Sequence, residues 1–116
     1  MKYAMLICGP ESDWDSSPEQ VEVQMKQITA WMEAQTAAGA IAHRGYQLDA
    51  PNTARTIRPG AAGTPVITDG PFIEAQEVIG GVIVLEHDTV DQAVEAASEW
   101  VRINPAWAIE IRPTVG

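Results

Sequence analysis

The segment Val78 to His87 constrains the fold of this chain more than any other. It opens Val-Ile-Gly-Gly-Val-Ile-Val-Leu and is apolar or glycine at eight successive positions. A run of that length bounded by polar residues makes this the most strand-like segment of the chain and reads as a central member of a sheet. The glycine pair inside it predicts a bulge or the close approach of another backbone.

The remaining segments supply neighbours for that strand. Lys2 to Cys8 is short, apolar and stopped by Gly9-Pro10, which predicts a first, buried strand. Ser17-Pro18-Glu19-Gln20 then carries the pattern of a capping box with proline at the first helical position. Val21, Met25, Ile28 and Met32 follow at helical spacing, and Gly39 supplies the stop. That stripe is expected to pack on something flat and apolar. Ala40 to Leu48 has the length of a strand, anchored by Ile41 and Tyr46. Thr53 to Arg58 and Thr64 to Thr68 read as two short strands of a hairpin around Pro59-Gly60. Asp88 is the expected cap of a second helix with Val90, Ala93, Val94, Ala97 and Val101 on one side. Trp107, Ile109 and Ile111 alternate with polar or small residues in a last strand closed by Pro113.

The order strand, helix, strand, hairpin, strand, helix, strand predicts an α+β fold: a ferredoxin-like split βαβ sheet with an inserted β-hairpin. The 116 residues give room for a single domain over 1–116. Two helices cover one face of such a sheet. The other face, carrying Tyr3, Met5, Ile83 and Leu85 or their alternates, needs a second cover, and another copy of the chain is the expected supplier.

Charge excludes several partners. Sixteen acidic residues against seven basic ones leave a net charge of -9, the wrong sign for neutralising phosphates, so no nucleic acid is expected. No apolar run approaches the roughly 18 residues of a membrane span, and the opening run KYAMLIC meets Gly-Pro instead of a cleavage site. The one cysteine, Cys8, lies in that run, which predicts a buried thiol and a reducing cytoplasm.

Few residues offer chemistry. Asp69, between a strand end and a Gly-Pro turn, suits a fixed and partly desolvated general base, or a turn cap bonding backbone N–H groups ahead of it. His43 and His87 are the only imidazoles. His43, beside Arg44 and near the hairpin, is the candidate to reach one cavity with Asp69, whereas His87 ends a strand before a helix. Arg55 and Arg58 alternate in the hairpin, where Arg55 could hold a carboxylate or simply offset the acidic surface. Tyr46, Phe72 and Trp14 are candidate ligand contacts, and Trp14 suits a lid as well as a dimer contact. There is no CxxC, HxxxH or HExxH pattern for a metal, no GxSxG elbow and no phosphate loop, so no cofactor is expected.

Thr68-Asp69-Gly70-Pro71-Phe72, with Glu74, Glu77 and Gly80-Gly81 after it, resembles the signature of the DGPF domain family within the YCII-related superfamily. The opening KYAMLI, the segment GYQLDAPNTARTIR, the EVIGG strand entry, the DTVDQAVEAA helix and the closing EIRP are similar to further blocks of that family in the same order. The resemblance implies a ferredoxin-like fold and homodimers whose sheets pack into a barrel-like assembly. It also implies a superfamily that includes a chloromuconolactone dehalogenase and proteins with a proposed His/Asp pocket. The histidine of that pocket lies on the first helix in the relatives, and no histidine lies between Pro18 and Ala38 here. Ala75-Gln76 stands where many DGPF members carry Thr-Lys. Two classes of function remain open: proton transfer on a small organic acid, or a non-catalytic small-ligand or regulatory module. Converging titratable groups would mark the first, an apolar cavity with few of them the second.

Overall fold

The computed structural model describes residues 1–10, 17–71 and 77–115. The elements run β1 (Lys2–Pro10), α1 (Pro18–Ala37), β2 (Ile41–Gln47), β3 (Arg55–Pro59), β4 (Pro65–Asp69), β5 (Glu77–Glu86), α2 (Val90–Ile103) and β6 (Ala108–Pro113). The order is the expected one, with strand ends displaced by one or two residues. β2, β5, β1 and β6 form one antiparallel sheet in that order, while β3 and β4 pair separately as a hairpin. Two helices with antiparallel sheets make an α+β arrangement compatible with the ferredoxin-like fold.

The long central strand is β5, between β2 and β1. Its glycine pair forms the expected irregularity: Ile7 faces Gly81 and Cys8 faces Ile79, so Gly80 is the extra residue of a bulge. Two more irregularities lie on β2, one between Ile41 and His43 and one between His43 and Tyr46. His43 faces Val84 and Tyr46 faces Val82, leaving Arg44 and Gly45 together opposite Ile83. Gly45 has φ +67°, and a β-carbon there would run into the carbonyl of Val82. Only glycine fits that position.

Tyr3, Met5, Ile83 and Leu85 point to the helices, where they pack with Trp31, Met32, Ala93, Ala97 and Trp100. Met5 and Leu85 are fully buried, a burial worth roughly 1.5–3 kcal/mol for each side chain. Alternation therefore assigns the uncovered face to the other set, Ala4, Leu6, Val82 and Val84, all half-buried.

The first helix begins as expected. Ser17 accepts from the Gln20 N–H and the Gln20 side chain reaches back to the Ser17 N–H. The second does not: its cap is Thr89 instead of Asp88. Thr89 Oγ1 accepts from the Gln92 N–H, and Gln92 Oε1 takes the N–H groups of both Thr89 and Asp88. Its buried side is Ala93, Ala96, Ala97 and Trp100, whereas Val90 and Val94 are exposed. Cys8 is half-buried, less than expected, and forms no disulfide. No helix of the described residues is long and apolar enough to cross a membrane.

Candidate functional site

The α1 stripe does not sit on the sheet as expected. Trp31 and Met32, in the C-terminal half, are buried, and Trp31 Nε1 donates to the Ala96 carbonyl at 3.0 Å, tying α1 to α2. Toward the N-terminus, Val21 and Met25 are 44% and 43% exposed. The helix is held at one end and stands off the sheet at the other. Between it and β1, β5 and β2 lies a cavity of about 430 Å³, a volume suited to a small molecule. Val21, Met25, Ile28 and Met32, the whole predicted stripe, form its helical wall.

The opposite wall is the sheet. Ile7 of β1, Gly80, Gly81 and Ile83 of β5, and Arg44, Gly45, Tyr46 and Gln47 of β2 line it, so the Gly80 bulge and the Arg44–Gly45 irregularity open onto the cavity. Trp100, Asn104 and Trp107 close the end beneath α2. Asn104 terminates α2, its N–H donating to the Trp100 carbonyl at 3.1 Å, and its own carbonyl accepts from the Trp107 N–H at 3.0 Å. Trp107 is thereby carried over Gly80, where the missing β-carbon leaves room for the indole. Trp100 Nε1 is buried without a hydrogen-bond partner, a donor held in the wall at the cost of its desolvation.

Polar groups in the lining are few. Gln24, Gln47 and Asn104 are neutral, and Arg44 is the one charged side chain among the described lining residues. Arg44 is exposed and takes part in no ion pair among the described residues. In a chain of net charge -9 such a cation is scarce.

The residues singled out from sequence do not all meet here. Tyr46 lines the cavity, and His43 lies beside it with ring centroids 6.0 Å apart. His43 Nδ1 accepts the Gly45 N–H at 2.8 Å, so a neutral His43 carries its proton on Nε2. In the strand register His43 stands opposite Val84 and Tyr46 opposite Val82, with an irregularity between them. Asp69 and Arg55 stand opposite one another in the hairpin, both exposed. Neither they nor His43 line the cavity. No N–H for a turn cap is available at Gly70 or Pro71, since the Gly70 N–H donates to the Ala54 carbonyl at 2.8 Å and proline has none. His87 is half-buried with its Nε2 unpartnered. Trp14 and Phe72 lie outside the described residues. Among the described residues no group of three or more His, Cys, Asp or Glu side chains is placed to hold a metal ion.

Sequence reasoning named Arg44 only as a neighbour of His43, and it missed Asn104. The usable signal was the glycines: Gly45, Gly80 and Gly81 all sit where the cavity meets the backbone.

Residues 1–113 match the YCII-related domain family. An uncharacterized protein of Rhizobium meliloti (strain 1021) is similar at 29% identity over 115 residues, which cover 97% of this chain and 91% of that protein.

Proposed function

The chain belongs to the YCII-related family, and we propose that it is a small-ligand-binding member of it that takes a small organic acid in the cavity between α1 and the sheet. The carrying observation is the lining: a mostly apolar wall with Arg44 as its one described charge. A carboxylate on Arg44 gains a charge-assisted hydrogen bond, and an apolar body gains about 25 cal/mol for each Å² it hides from water. Proton-transfer catalysis needs a base within hydrogen-bond reach of the substrate. The described lining offers none, which favours binding over the catalytic alternative.

Within the family we assign the chain to the DGPF group, on its Thr68-Asp69-Gly70-Pro71-Phe72 block. We also propose a homodimer formed through the uncovered face of Ala4, Leu6, Val82 and Val84, the two sheets closing into a barrel-like assembly. A half-apolar sheet face is supported better by a second sheet than by water. A cytoplasmic setting fits a lone cysteine that forms no disulfide.

Tryptophan emission tests the binding reading directly, because Trp100 and Trp107 line the cavity. Titration with hexanoate and with benzoate is expected to give a saturable change that is lost in Arg44→Gln. A strictly linear response to both acids through the millimolar range would overturn it.

A further inference from the structure

The β3–β4 hairpin carries apolar surface that nothing in the described chain covers. Its register sets Arg55 opposite Asp69, Ile57 opposite Ile67 and Pro59 opposite Pro65, so alternation puts these pairs on one face of the ribbon. Ile57 is 67% exposed and Ile67 62%. Among the described residues neither strand packs extensively on a helix or on the four-stranded sheet. A lone two-stranded hairpin is marginal in water, and an opposed isoleucine pair left in solvent adds nothing to hold it.

The chain as a whole shows the same surplus of surface. Its radius of gyration is 16.1 Å, against about 13 Å for a compact chain of this length. Its accessible surface is 7924 Å², against about 6,200 Å² for a folded monomer of 12.5 kDa. The surplus of roughly 1,700 Å² is about twice what each partner buries in an interface of standard size. A second copy of the chain can absorb it.

We propose that the β3–β4 hairpin is an arm that packs its Ile57–Ile67 face on a second copy of this chain, at the margin of that copy's uncovered sheet face. This rests on the reading that copies pair through that face. Charge permits the same occupant. Arg55, Arg58 and Asp69 give the two strands a formal charge of +1 in a chain of -9, so the arm is repelled less by another acidic copy than the rest of the chain is. A two-fold axis closes the contact, since each chain both extends an arm and receives one.

The test compares the full-length wild type with Ile57→Asp/Ile67→Asp by light scattering and sedimentation over a range of concentrations. The wild type is expected at twice the 12.5 kDa chain mass, and the variant with a dissociation constant raised about a hundredfold or more. Its far-UV circular dichroism should be unchanged, because neither residue belongs to the core. Should the aspartates unfold the chain, Ile57→Thr/Ile67→Thr keeps β-branching and is expected to weaken the dimer about tenfold. In the wild type, amides of residues 56–58 and 66–68 should exchange more slowly as concentration rises through dimerisation. A dimeric wild type whose variants keep the same dissociation constant overturns the arm and leaves sheet pairing standing. A wild type that stays monomeric at every concentration overturns both.

Discussion

The Trp107 indole lies against the backbone of Gly80, so closely that a β-carbon there would stand 2.6 Å from its Cζ3. The bulge and the glycine therefore have one purpose, which is to seat an aromatic ring at the end of the cavity. Gly80→Ala should force the indole or the strand to move and cost about 1–3 kcal/mol, the usual scale of overpacking. Thermal denaturation measures this directly. The penalty should shrink in a Trp107→Leu background, because the two sites share one contact. An equal penalty in both backgrounds would mean that the strand, and not the ring, resists the methyl group.

Arg44 separates recognition from stability. It is exposed on β2 and makes no ion pair among the described residues, so Arg44→Gln should change folding free energy by no more than about 0.5 kcal/mol. Binding of benzoate should weaken roughly 10- to 100-fold, the worth of a hydrogen bond to a charged group. Arg44→Lys keeps the charge without the planar fork and should fall between the two. Calorimetric titration of the three proteins orders them, and equal affinities would place the carboxylate elsewhere.

The element order and the hairpin were legible in the sequence because each rests on local chemistry. Ser17, Pro18 and Gln20 announce a helix start within four residues, and the glycine pair announces a bulge. The cavity was less legible, because periodicity shows which residues share a helix face but not how far that face stands from its sheet. Val21 and Met25 read as core for that reason and prove to be a wall. What sets the distance is a long-range contact, Trp31 Nε1 to the Ala96 carbonyl, which joins residues 65 positions apart. The convergence of Asp69 with His43 likewise depended on where the hairpin goes. It leaves the sheet as a separate pair of strands, and no local pattern encodes that.

The two adjacent cap candidates of α2 make a discriminating pair. Both Asp88 and Thr89 belong to the residue types that cap helices, and both N–H groups bond to Gln92 Oε1. Only Thr89 returns a side-chain bond, to the Gln92 N–H. Thr89→Ala should therefore cost about 1 kcal/mol, while Asp88→Ala loses only a charge near the helix N-terminus, worth at most about 0.5 kcal/mol on an exposed site. Chemical denaturation of the two variants decides between them. The reverse ranking would return the cap to Asp88.

Leu6 tests the uncovered sheet face without disturbing the helical core. It stands between Val82 of β5 and Glu110 of β6, on the side away from Tyr3 and Met5, and is half-buried in a single chain. In an isolated chain Leu6→Glu leaves its carboxylate free to reach water, so the fold should survive with its far-UV circular dichroism intact. In a dimer closed through this face the same carboxylate is buried near its own two-fold copy and Glu110, where an unpaired charge costs several kcal/mol. Each chain already carries a net charge of -9, which adds to the repulsion. The variant should sediment at 12.5 kDa under conditions in which the wild type sediments at twice that mass. It should also melt at a temperature that no longer rises with protein concentration, because the linkage between folding and association is gone. A Leu6→Glu protein that stays dimeric with wild-type affinity would show that the two copies meet through some other surface.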